Sequence, residues 1–62
     1  MNKSNLESSI IKSISKEWFI INGNYILCTN NKFHLAPSTR IALHFKDRAE
    51  AIIYRDVLLN NV

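Results

Sequence analysis

Residues 18–29 constrain this chain more than any other stretch. Trp18-Phe19-Ile20-Ile21 is followed by Asn22-Gly23, and then by Asn24-Tyr25-Ile26-Leu27-Cys28-Thr29. Asn-Gly between two β-rich apolar runs predicts a hairpin, because a type I′ turn needs positive φ at both central positions. The alternative is that 18–21 continue a preceding helix and Gly23 is the residue just past its C-cap. The hairpin is the expected structure. A two-residue turn over Asn22-Gly23 sets Trp18 opposite Leu27 and Ile20 opposite Tyr25, all on one face. Phe19, Ile21, Ile26 and Cys28 then share the other. Both faces are apolar, so both need cover. One helix can cover one face. The other needs a second helix, a second copy of the chain or a partner.

The flanks supply two helices and more strand. Ser4 reads as an N-cap with Glu7 three residues on, a capping box. Leu6, Ile10 and Ile14 follow at helical spacing with Ile11 beside them, so a helix is predicted over 5–16, with residues 1–3 loose. Asn30-Asn31 marks a turn, since Asn tolerates the left-handed region. Residues 33–36 are a predicted strand, broken at 37–39. Residues 40–45 alternate, with Ile41, Leu43 and Phe45 on one face and Arg40, Ala42 and His44 on the other. A three-residue loop over Asn30, Asn31 and Lys32 would set Cys28 opposite His34 and gather Phe33 and Leu35 with Trp18, Tyr25 and Leu27. A two-residue loop would swap those faces. Asp47 reads as a second N-cap before a helix over 48–60. The expected fold class is α+β: helix, three- or four-stranded antiparallel sheet, helix, in one small domain over 1–62.

Size and composition limit the rest. A domain of 62 residues buries a small core and gains from association with a partner or a second copy. Cys28 is the single cysteine, so an internal disulfide is excluded and a reducing, cytoplasmic setting is expected. The longest uncharged apolar run, Trp18 to Ile21, is far short of a membrane span, and residues 1–15 lack the pattern of a signal peptide. The eight Asn, nine Ile and five Lys are the residue usage of an AT-rich coding sequence, of the kind common in phage and mobile-element genes.

The chemistry-bearing residues are sparse. Cys28, His34 and His44 could approach one another, but no CxxC, HxxxH or HExxH spacing supports a metal site, and two surface histidines beside a buried thiol is the plainer reading. Glu7, Asp47 and Glu50 are accounted for as helix-terminal residues. One glycine leaves no phosphate-cradling loop. No enzyme and no cofactor is expected. The last helix carries two apolar stripes: Ala49, Ile52, Ile53 and Val57, and roughly opposite them Ala51, Leu58 and Val62. Two stripes point to burial on both sides. The expected protein interface is Tyr54, Leu58 and Val62 on this helix, or Phe19 and Ile21 on the sheet, with Arg48 and Arg55 as rim charges. A net charge of +3, with Lys32, His34, Arg40, His44 and Lys46 close in sequence, gives nucleic acid as the alternative partner.

Two resemblances sharpen these expectations. The run Phe45-Lys46-Asp47-Arg48-Ala49-Glu50-Ala51 resembles the strand-to-helix junction of the AP2-like arm-binding domains of phage integrases. That resemblance, over about residues 25–59, implies DNA binding through the sheet by Lys32, His34 and Arg40. In kind rather than motif, a small αβ domain of this composition with surplus apolar surface is similar to the inhibitors that phages encode against host machinery, including anti-CRISPR proteins. The similarity implies a non-enzymatic module that binds a bacterial protein or ribonucleoprotein complex in the host cytoplasm. A structural homodimer is the third expectation.

Overall fold

Residues 10–14, expected in the second half of a helix, form a β-strand. The computed structural model describes residues 3–36 and 40–61. The first helix, α1 (Lys3–Glu7), is only five residues long. Lys3 opens it, Ser4 lies inside it rather than at its N-cap, and Ser9 closes it by donating from Oγ to the Leu6 carbonyl at 2.6 Å. Strand β1 (Ile10–Ile14) follows, then β2 (Glu17–Asn22). The Ser15-Lys16 loop between them has φ of 52° and 68°, the sign pattern of a type I′ turn, with Ile14 opposite Glu17. The physical reason is local. Ile10, Ile11 and Ile14 are β-branched, and Ser13 and Ser15 are weak helix formers, so this stretch fits a pleated surface better than a helix.

The Asn22-Gly23 signal marks a hairpin, with its turn one residue later than expected. Strand β3 (Tyr25–Leu27) pairs with β2 so that Asn22 faces Tyr25 and Ile21 faces Ile26. The loop is Gly23-Asn24, and Gly23 takes φ 62° while Asn24 stays negative, as in a type II′ turn. Trp18 therefore does not face Leu27, nor Ile20 Tyr25. The slip is by two positions in the pairing, so the division of side chains between faces is kept. Strand β4 (Phe33–Leu35) pairs with β3 through Leu27–Phe33, Ile26–His34 and Tyr25–Leu35. Their loop has three residues, but they are 29–31: Asn31 N donates to the Cys28 carbonyl at 2.8 Å and Cys28 N to that of Lys32 at 2.9 Å. Asn31, with φ 61°, is the left-handed residue, and His34 faces Ile26 rather than Cys28. The four strands form one antiparallel sheet in the order β1-β2-β3-β4, with two helices, an α+β domain.

Residues 41–45 are not the continuous strand their alternation predicted. β2 and β3 pair only near their turn, and this segment fills the gap at their other ends. Leu43 N donates to the Leu27 carbonyl at 3.0 Å, and Phe45 and Trp18 exchange two backbone bonds of 2.9 and 3.0 Å. Isolated bridges join Ala42 to Cys28 and Phe45 to Trp18, both antiparallel. Because β2 and β3 run in opposite directions, a segment antiparallel to both must turn over between Leu43 and Phe45. The alternation survives in part: Leu43 and Phe45 pack on one side and Ala42 on the other, while Ile41 is exposed.

Helix α2 (Arg48–Asn60) has the expected bounds. Asp47 has the extended backbone of an N-cap, but its carboxylate makes no cap hydrogen bond. Both helices pack on one face of the sheet. Leu6, Ile20, Leu27 and Ala51 are fully buried there, ringed by Ile11, Trp18, Phe33, Leu43, Phe45, Tyr54, Leu58 and Leu59. Burying each Leu or Ile contributes about 1.5–3 kcal/mol, and Ala51 lets the helix approach the sheet closely. Tyr54 Oη donates to Asn31 Oδ1 at 2.6 Å, and Arg55 Nη1 to the Ser9 carbonyl at 3.2 Å, fixing α2 to both ends of the sheet. Ile21, Ile26 and Cys28 form a second, smaller cluster on the opposite face, with Phe19 and Ala42 against it.

Candidate functional site

The position of α2 decides which of its two apolar stripes is available. Tyr54 and Leu58, expected as interface anchors, pack against the sheet with Ala51. Ile53 and Val57, on the other stripe, are 63% and 52% exposed. They form a shallow, almost wholly apolar groove with Phe45, Glu50 and one side of Tyr54. The Tyr54 ring is thus shared: it stacks at 50° on Phe45 with centroids 5.4 Å apart, its hydroxyl is held by Asn31, and its outer side lines the groove. Arg48 is exposed at the start of the helix. Arg55 is turned inward onto Ser9 and its Nε is buried without a partner among the described residues, so it is a bracing residue rather than a rim charge. Val62 lies outside the described residues.

The sheet face away from the helices is the second apolar surface. Register places Ile10, Lys12 and Ile14 of β1 beside Phe19 and Ile21 of β2 on that face. Ile10 and Ile14 are 57% and 44% exposed, Phe19 is half-buried and Ile21 is nearly covered. Of the two expected sheet anchors, Phe19 retains accessible surface and Ile21 has little. Ile10 and Ile14 were missed because they were placed in a helix.

The basic residues gather at one end of the sheet. Lys32 flanks Cys28 on one side, and the 41–45 segment flanks it on the other. Arg40 and Lys46 bracket that segment, and Lys32, Arg40, His44 and Lys46 are all exposed. His34 is exposed on the outermost strand, with its Nε2 3.2 Å from Asn30 Nδ2.

The cysteine and histidines are kept apart. Cys28 is fully buried with Sγ 3.4 Å from the Ile26 carbonyl, and His34 sits opposite Ile26. Among the described residues no three His, Cys, Asp or Glu side chains group as metal ligands, and no helix is long and apolar enough to cross a membrane. Comparison with protein-family models, with curated proteins and with solved structures finds no match.

Proposed function

We propose that the chain is a small, non-enzymatic protein-binding module that engages its partner through the outer side of α2. One observation carries this reading: α2 already buries Ala51, Tyr54 and Leu58 against the sheet, yet presents Ile53 and Val57 to solvent beside Phe45. A helix that serves only its own core has a single apolar stripe. A groove with apolar walls and Glu50 at its edge suits an apolar or amphipathic segment of another protein. The small size and the Asn-, Ile- and Lys-rich composition support a phage or mobile-element accessory protein that inhibits a bacterial protein or ribonucleoprotein complex.

The test is capture from bacterial lysate on the tagged chain, with and without nuclease, repeated with Ile53→Asp and Val57→Asp. Specific protein capture that survives nuclease and disappears in both variants supports the reading. Capture that persists in the variants refutes the α2 surface. The gathering of Lys32, Arg40, His44 and Lys46 at one sheet end favours nucleic acid as the second reading, with His34 on the neighbouring edge. That reading requires capture to collapse with nuclease and affinity to fall steeply with salt.

A further inference from the structure

We propose that the pocket beside the Gly23-Asn24 turn binds an unpaired nucleobase. This pocket is separate from the α2 groove. It has a volume of about 340 Å3 and is lined by Asn5, Asn22, Gly23, Asn24, Tyr25 and Phe33. Its size is at the small end of ligand pockets, which span roughly 300–1,000 Å3.

The hydrogen-bonding groups are set by the fold. Asn22 Nδ2 donates to the Asn5 backbone carbonyl at 3.4 Å and to Asn5 Oδ1 at 3.3 Å. A backbone carbonyl can only accept, so the Asn22 amide has one orientation, with Nδ2 engaged and Oδ1 left over. Asn5 Oδ1 is likewise engaged, which leaves its Nδ2. Among the described residues neither leftover group has a further partner. The pocket therefore offers an acceptor on Asn22 and a donor on Asn5, on half-buried residues held by each other. An amide-type donor and acceptor together match the adjacent donor and acceptor that a base presents on an edge, such as N6 and N7 of adenine, which serves as the probe.

The aromatic groups supply the other half of base recognition. Tyr25 is a large ring left 47% exposed on the helix-covered side of the sheet, beyond the reach of α2. Phe33, anchored in the core, closes the pocket behind it. An accessible ring beside paired amides is the combination by which single bases are held: stacking on a π-face and hydrogen bonds to one edge. The net charge of +3 favours a base that carries phosphate. A free nucleoside or nucleotide and a base within a single strand share this chemistry.

The experiment is a titration of the isotopically labelled chain, followed by NMR, with adenosine, with a short oligodeoxyadenylate and with an abasic strand of the same length. Adenosine is expected to shift the side-chain amide signals of Asn5 and Asn22 and the ring signals of Tyr25. Tyr25→Leu should weaken binding about tenfold while Tyr25→Phe retains it, since stacking and not the hydroxyl is at issue. Both substitutions are at an exposed strand position and are compared at equal folded fraction by circular dichroism. Tighter binding of the oligonucleotide identifies a strand as the ligand; equal binding identifies a free nucleoside or nucleotide. The proposal fails if adenosine at millimolar concentration leaves these signals unmoved, or if the abasic strand binds as well as the adenylate. It fails also if propionamide, a bare carboxamide, shifts them as strongly as adenosine.

Discussion

Among the described residues, Ser15, Lys16 and Asn31 hold positive φ without being glycine. Asn31 suits its place, because asparagine visits the left-handed region at low cost and its Oδ1 there accepts the Tyr54 hydroxyl. Ser15 and Lys16 do not. A side chain in that region costs about 1–2 kcal/mol, so the β1–β2 loop is held by the strands it joins. Ser15→Asn combined with Lys16→Gly should therefore raise stability, by about 1 kcal/mol, seen as a higher urea midpoint with unchanged slope. Gly23→Ala should do the reverse. A Cβ there would meet nothing within 4 Å, so the loss, again about 1 kcal/mol, would come from φ 62° alone and not from a clash. Cys28, at 0% exposure, should resist thiol reagents in the folded chain and react on addition of denaturant.

At the scale of elements, the sequence was legible where its signals were independent of register. A slip of two positions leaves every side chain on its face, so Trp18, Ile20, Tyr25 and Leu27 were correctly separated from Phe19, Ile21, Ile26 and Cys28 even though the partners shifted. The first helix failed for a related reason. A spacing of four, Ile10 to Ile14, belongs equally to a helical period and to a strand period of two, so those residues could not distinguish the two structures. The choice lay in the β-branched side chains and in Ser15-Lys16, which lack a recognisable hairpin signature. The α2 bounds were legible from Asp47 and the apolar run. The stripe that meets the sheet was not, because both stripes are aliphatic and each carries an alanine, and it is Ala51 and Leu58 that pack inward. That distinction is measurable. Leu58→Ala should cost about 2–4 kcal/mol of stability. Val57→Ala, at the neighbouring position about 100° round the helix and exposed, should stay within about 0.5 kcal/mol in chemical denaturation. Equal losses would mean that the helix is rotated from its observed setting.

For the whole molecule, the decisive asymmetry is that both helices cover one face of the sheet and β1 is an edge. The bare side of β1 reads Ile10, Lys12, Ile14, and both isoleucines are exposed. An apolar edge strand is a template for pairing with another chain, and a lysine in its middle is a common guard against it. In an antiparallel pairing of two β1 strands centred on residue 12, the two ammonium groups would face each other, and directly opposed like charges destabilise a strand pair. The net charge of +3 adds a weaker, longer-range repulsion between copies. Lys12 is thus placed to oppose the closing of this edge on a second copy. Lys12→Val should convert β1 into a continuous apolar strand, and light scattering should then show mass rising with concentration where the parent chain stays constant. Ile14→Lys should suppress that rise in the double variant by restoring a charge to the same face. If Lys12→Val leaves the scattering mass unchanged, the edge is guarded by its short length and twist instead, and the α2 groove becomes the first surface to examine for self-association.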